Sequence, residues 1–118
     1  MAEFKTNLKE ASECSIIELT GYLDAHTAPE LESAFTGLID KSKYKVVVNF
    51  QDLEYISSAG LGVFMAYIET MRENGGDIKL ANMKPTVYSI FDLLGFPLLY
   101  DILPDVDGAL TKFKQQGA

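Results

Sequence analysis

Residues 45–71 read "KVVVNFQDLEYISSAGLGVFMAYIETM", and this stretch decides the fold. Its β-branched start, "KVVVNF" (45–50), is typical of a central strand that is buried on both faces. A helix is expected from about residue 59 to residue 73, because apolar side chains recur there at helical spacing. They are Leu61, Phe64, Met65, Ile68 and Met71. A buried strand that leads into an amphipathic helix indicates an α/β fold.

The segments before this unit predict two strands, 4–11 and 14–23, joined by a short polar turn, "SE". A helix follows in "DAHTAPELESAFTGLIDKS". Thr27 is suited to be its N-cap and Glu30 stands three residues later, as in a capping box. Pro29 fits the first helical turn. The chain therefore opens with a β-hairpin and a helix.

The segments after this unit continue the alternation of strands and helices. They predict a strand at 77–83, a helix at 85–96 that Gly95 stops, a strand at 98–103 and a terminal helix at 104–116. The element order is then β-β-α-β-α-β-α-β-α. Helix crossovers between strands imply parallel pairing, so we predict a mixed, mostly parallel sheet of about five strands covered by about four helices. We treat residues 1–118 as one domain, since no linker or repeat interrupts them.

Composition narrows the function. The net charge of −7 disfavours nucleic acid and anionic membranes as partners and is compatible with a basic protein partner. No run of residues is long and apolar enough for a membrane span, and the N-terminus lacks a signal-peptide core, so we expect a cytoplasmic protein. With one cysteine, Cys14, and one histidine, His26, no metal site and no cofactor is expected.

The junction "ISSAGLG" raises the functional question. Ser57 or Ser58 can cap the helix that starts there, and capping alone would explain a serine. A phosphate-binding loop would need a motif such as G-x-x-x-x-G-K-[ST], which is absent. A nucleophilic serine would need a base, and His26 lies in a loop near the end of a different strand. A further reading is a serine phosphorylated at the helix N-terminus by a partner kinase, since the helix dipole tolerates a phosphate there.

The segments "LTGYLDAHTAPELESAF", "VVVNFQDLEYISSAGLGVFMAYIE" and "IKLANMKPTVYSIFDLLGF" resemble the STAS-domain anti-sigma-factor antagonists, also called anti-anti-sigma factors. The resemblance covers nearly the whole chain. It implies a small cytoplasmic regulator of transcription that is not an enzyme. The unphosphorylated form would bind an anti-sigma factor that is also a serine kinase, and so release a sigma factor. Phosphorylation of a serine would break that complex, and a serine phosphatase would reset the switch.

Carried over by motif, this phosphoacceptor falls on Ser58. The family commonly has Asp just before the acceptor and Ser or Thr just after it, where this chain has Ser57 and Ala59. The second hydroxyl makes Ser57 the alternative acceptor. The acidic residue that follows the family's second strand falls on Asp24, which is expected near Ser58. Turn formation is the other reading of Asp24.

The start of the second helix is expected to form the partner-binding surface. Its residues are Ser57, Ala59, Gly60, Leu61 and Gly62, with Leu61 and Gly62 at the exposed edge. Val63 and Tyr67 lie off the apolar stripe, and packing against an adjacent helix is favoured for both. Phe91, Leu94 and Phe96 are assigned to the core.

The alternative function is a STAS-type scaffold or ligand-sensing interaction domain that phosphorylation does not regulate. An enzyme that uses Ser58 or Ser57 as nucleophile is disfavoured because no credible base accompanies them. We also expect the free protein to be a monomer.

Overall fold

The computed structural model describes residues 3–11 and 13–116, so Ser12 of the predicted polar turn lies outside the described residues. The predicted element order is confirmed. The strands are β1 (Lys5–Ala11), β2 (Cys14–Leu23), β3 (Lys45–Ile56), β4 (Asp77–Ala81) and β5 (Ile102–Leu103). The helices are α1 (Ala28–Asp40), α2 (Ser58–Glu73), α3 (Pro85–Leu93) and α4 (Val106–Gln116). None of the described helices is long and apolar enough to cross a bilayer.

The five strands form one sheet in the order β1-β2-β3-β4-β5. β1 pairs with β2 antiparallel, and every later pair is parallel. This confirms the predicted mixed, mostly parallel sheet. Because the strands β2 to β5 run in the same direction, their carboxyl ends meet at one edge of the sheet, where the loops into α1, α2 and α3 emerge.

The central strand β3 is buried on both faces, as predicted from its β-branched run. Val46, Val48 and Phe50 belong to the main core, which lies between the sheet and helices α1, α2 and α3. Val47 points to the other face and packs in a smaller core with Phe113 of α4. The two cores place α4 alone on the face of the sheet opposite α2.

β3 is longer than predicted, because it continues to Ile56 instead of ending at Phe50. Its last part contains the polar residues Gln51, Asp52 and Glu54, and all three are exposed. Among the described strands, β2 alone pairs with this part, while β4 pairs with β3 no further than Asn49. One face of the extension is therefore exposed to solvent. Its polar residues made the sequence look like a loop, so the strand was predicted to end too early.

The last strand, predicted at residues 98–103, is shorter in the structure. Only Ile102 and Leu103 are strand, whereas residues 96–98 form a turn of 3-10 helix. Gly95 has φ +78°, a left-handed conformation that ends α3 and turns the chain. Phe91 and Phe96 are buried as predicted, but Leu94 is 56% exposed, so its assignment to the core is wrong.

The apolar stripe of α2 also differs by one residue. Met65 is 58% exposed, so its predicted place on the stripe is wrong, whereas Val63 is 4% exposed. Positions 63 and 65 lie about 100° to either side of Phe64, so periodicity alone does not choose between them. Tyr67, one turn after Val63, stacks on Phe35 of α1 with ring centroids 5.4 Å apart. Packing of Tyr67 against an adjacent helix is thus confirmed, and Val63 is buried in the main core.

An ionic network around the buried Lys79 joins the amino-terminal end of β4 to the last turn of α2. The Lys79 side chain is fully buried, with its Nζ 3.0 Å from Asp77 and 2.6 Å from Asp101. The same Nζ lies 4.6 Å from the centre of the Phe113 ring. Arg72 donates from Nε to Asp77 at 2.9 Å and from Nη2 to the carbonyl of Leu99. The network fixes the chain around residues 99–101 against α2 and β4.

Tyr100 carries a buried hydroxyl that has no hydrogen-bond partner among the described residues. Desolvation raises the pKa of Tyr100 from 10 to about 12. The native state keeps a proton that the unfolded chain loses above pH 10, so stability falls as pH rises from about 10 towards 12. Tyr100→Phe is expected to leave stability at pH 7 unchanged or higher and to flatten this decline, as measured by urea unfolding.

The exposed Tyr88 supplies the matched control for this prediction. Tyr88→Phe is expected to leave the pH dependence of unfolding as it is in the wild type. An equally steep decline in the Tyr100→Phe variant would contradict the assignment to Tyr100.

Candidate functional site

The two serines lie where β2 and β3 end side by side. Leu23, the last residue of β2, stands opposite Ile56, the last residue of β3. The backbone N–H of Ser57 donates to the carbonyl of Leu23 at 2.9 Å. Asp24 follows Leu23 directly, so this hydrogen bond places the backbone of Asp24 next to the start of α2.

Ser57 and Ser58 differ in their surroundings. Ser57 is half-buried and is the N-cap of α2, and its Oγ accepts a long hydrogen bond of 3.5 Å from the N–H of Gly60. Its carbonyl also accepts the N–H of Leu61 at 3.0 Å. Ser58 is the first residue of α2 and is exposed. The hydroxyl of Ser58 therefore lies at the positive end of the helix dipole and is accessible to another protein.

The other residues of the predicted partner-binding surface divide by exposure. Ala59 and Gly62 are exposed, whereas Gly60 and Leu61 are buried. The expectation that Leu61 lies at the exposed edge is wrong, because only 4% of it is accessible and it belongs to the main core. Gly60 faces Leu23 and Ile56, and its lack of a side chain lets α2 approach the ends of both strands.

Alanine at the two glycines of this turn is expected to have opposite effects. A Cβ on Gly60 would lie 2.7 Å from Cγ of Leu23 and 3.0 Å from Cγ1 of Ile56, so Gly60→Ala should lower the free energy of unfolding by about 1–3 kcal/mol. A Cβ on Gly62 would meet nothing within 4 Å. Gly62→Ala should therefore raise stability by up to about 1 kcal/mol, because alanine favours a helix. Urea unfolding of the pair checks both signs.

The comparison is matched, since both substitutions add one methyl group to the same turn of α2. A Gly60→Ala protein as stable as the wild type would show that α2 can move away from Leu23 without loss.

Asp24 shapes the turn beside the serines. Its Oδ1 accepts the N–H groups of His26 at 2.9 Å and Thr27 at 3.1 Å, so the turn-forming reading of Asp24 is the one observed. The Thr27 hydroxyl accepts the N–H of Asp24 and donates to the carbonyl of Tyr22, both at 2.9 Å. Thr27 occupies the N-cap position of α1 but makes no side-chain cap to that helix. The predicted capping box of Thr27 and Glu30 is thus wrong, because the hydroxyl is used in the turn.

The surface around this turn is acidic and contains a shallow depression. Its lining residues are Glu3, Phe4, Tyr22, Asp24, His26, Thr27 and Glu30. Among residues 3–11 and 13–116, no group of His, Cys, Asp and Glu is arranged to hold a metal ion. The depression offers carboxylates and aromatic carbon, which suit contact with cationic side chains.

A comparison with protein families identifies the fold. The model of the STAS domain matches residues 5–109. The protein belongs to the STAS domain family.

Relatives of this STAS domain carry names from one regulatory class. It is 31% identical over 96 residues to BtrV of Bordetella bronchiseptica, a candidate anti-sigma factor antagonist, covering 81% of this chain and 83% of BtrV. It is 27% identical over 94 residues to the anti-sigma-B factor antagonist of Bacillus subtilis, covering 80% and 85%. Among solved structures it resembles phosphorylated SpoIIAA of Bacillus, with a TM-score of 0.72, 21% identity and coverage of 92% and 98%. SpoIIAA, an anti-sigma factor antagonist, has also been solved unphosphorylated.

Sequence reasoning did not single out one exposed feature of this STAS domain. Tyr22 and Tyr55 stand opposite each other at the ends of β2 and β3, with ring centroids 5.9 Å apart, and both are about half exposed. Strand alternation is the signal that could have found the pair. Leu23 and Ile56 point into the core, so the residue before each points to the opposite face.

Proposed function

We propose that this STAS domain is an anti-sigma factor antagonist. In its unphosphorylated form it binds an anti-sigma factor with serine kinase activity and thereby releases a sigma factor. Phosphorylation of Ser58 ends the interaction, and a serine phosphatase restores it. The exposure of Ser58 at the first residue of α2, beside the acidic turn of Asp24, is the observation that carries the proposal. The names of the relatives and the two forms of SpoIIAA support it.

Ser58 is preferred to Ser57 as the phosphoacceptor for a physical reason. A kinase must reach the hydroxyl and direct it at a phosphoryl group, and the hydroxyl of Ser58 is at the surface. The Ser57 side chain is half-buried and already accepts the N–H of Gly60. Modification of Ser57 would have to break this cap, so Ser57 is the alternative acceptor.

The switch acts on the docking surface and leaves the fold intact. A phosphate adds a charge of about −1.5 to −2 at pH 7, and a helix N-terminus tolerates that charge. The partner would contact Ser57, Ala59 and Gly62, while Gly60 and Leu61 support them from the core. Docking on the phosphorylated form would bury a dianion next to Asp24, which opposes binding. We place this exchange of partners in the cytoplasm.

The test is to isolate the protein from its own cells and to map phosphate by fragmentation mass spectrometry, in resting and in stressed cultures. Phosphate on Ser58 whose level changes with condition is the expected result. Phosphate on Ser57 would move the site by one residue and keep the switch. The absence of phosphate at both serines in every condition would overturn the proposed regulation and favour a scaffold or ligand-sensing role.

A further inference from the structure

Four leucines at and just after the end of α3 have unusually large exposed fractions. Leu93 is 85% exposed, Leu98 is 90% exposed, and Leu94 and Leu99 are each 56% exposed. We call these four residues the leucine patch. They stand within "LLGFPLLY" (93–100), which contains no charged residue. The four exposed leucines therefore lie within seven residues of one another, unlike single apolar residues scattered over a surface.

The leucine patch lies at the pole of the molecule opposite Ser58. The carbonyl of Leu99 accepts a hydrogen bond from Arg72, in the last turn of α2. Ser58 begins the same helix, which has 16 residues and is about 24 Å long. A molecule bound at the leucine patch would leave the start of α2 free.

The leucine patch is held on a rigid support. Beneath it, the rings of Phe91 and Phe96 meet edge to face at 5.0 Å, and Phe96 stacks on Tyr100 at 5.1 Å. The guanidinium of Arg72 lies 5.8 Å from the centre of the Tyr100 ring. The backbone that carries the leucines is thus anchored to the core, which lowers the backbone entropy that an association would lose.

We propose that the leucine patch is a dimer interface, and that its occupant is the leucine patch of a second copy of this chain. The summed exposure is close to that of three whole leucine residues, an area of roughly 500 Å², and patches of this size are often functional. Two copies would bury about 1,000 Å², the lower limit for a specific interface. The dimer departs from the free monomer expected from the sequence.

The composition of the leucine patch favours self-association over a transient regulatory partner. Interfaces of transient complexes are no more apolar than the rest of the surface, whereas homodimer interfaces are clearly more apolar. The net charge of −7 on each copy opposes dimerisation, but salt screens that repulsion. Salt should therefore strengthen the dimer, whereas it would weaken the binding of a basic partner.

The test is sedimentation velocity of the full chain between about 1 and 200 µM. We expect reversible dimers with a dissociation constant on the order of 10 µM, as suits a small apolar interface. Dimerisation should tighten when salt rises from about 50 to 500 mM. Leu93→Asp combined with Leu98→Asp should weaken it by at least roughly 30-fold.

Controls separate the dimer interface from general effects. Met65→Asp introduces an aspartate at an exposed apolar position of α2, outside the leucine patch, and should leave dimerisation unchanged. Leu98→Ser should weaken it without adding charge, which covers the case in which the double variant fails to fold. Ser58→Asp should dimerise as the wild type does, so the dimer and the proposed phosphorylation switch can fail separately. A wild type that stays monomeric across these conditions, or a Leu98→Ser protein that dimerises normally, would overturn the proposal.

Discussion

Ser58→Asp is expected to weaken binding to the anti-sigma factor roughly 10- to 1,000-fold, while thermal unfolding stays within a few degrees of the wild type. Ser58 is exposed, so the fold loses no packing when its side chain changes. A carboxylate there adds negative charge beside Asp24 and has to be desolvated when the partner docks. Isothermal titration with the cognate anti-sigma factor measures the change, and differential scanning calorimetry checks the fold.

Ser33 provides the control for added charge, because it is an exposed serine on α1. Ser33→Asp should bind with the affinity of the wild type. Ser58→Ala should also bind, because it removes the acceptor without adding charge. Equal affinities of Ser58→Asp and the wild type would show that charge at the start of α2 does not control docking.

Removal of both carboxylates around Lys79 is expected to lower the free energy of unfolding by about 3–5 kcal/mol. Asp77 and Asp101 are the carboxylates that contact its Nζ among the described residues, and the lysine side chain is fully buried. Asp77→Asn combined with Asp101→Asn would leave that ammonium group in the core without a carboxylate. Adding Lys79→Met to the double variant should recover most of the loss, because the unpaired charge then disappears. Urea unfolding compares the three proteins.

The exposed pair of Lys9 and Glu18 gives the matched control. Glu18→Gln breaks an ion pair at the surface and should change stability by no more than about 1 kcal/mol. A triple variant that is as unstable as the double variant would show that lost hydrogen bonds, not the unpaired lysine, cause the effect.

The order of elements was predictable because each helix and strand carries its own hydrophobic period. The errors occur where two faces compete. Positions 63 and 65 are equivalent about Phe64, and only the tertiary fold decides that Val63 is buried in the main core and Met65 is exposed. Leu94 has the composition of a core residue, but the chain turns at Gly95 and leaves it in solvent. Neither the burial of Val63 nor the exposure of Leu94 is encoded in the local pattern of apolar residues.

The candidate site was predictable in position more than in detail. A strand followed by a helix start places Ser57 and Ser58 at the carboxyl edge of a parallel sheet, as general rules require. The sequence did not decide which serine is exposed, because that depends on the half-turn between β3 and α2. It also assigned the Thr27 hydroxyl to α1, whereas Asp24 and Tyr22 bind it. Such choices among nearby polar partners depend on distances that a sequence does not contain.

Unlike the leucine patch, the two edge strands of the sheet carry features that oppose aggregation. β5 has only two residues, and β1 presents exposed Lys5 and Lys9 along its length. Short margins and charged lysines discourage the addition of a further strand from another molecule. Crowded copies of this protein are therefore not expected to stack edge to edge into fibrils.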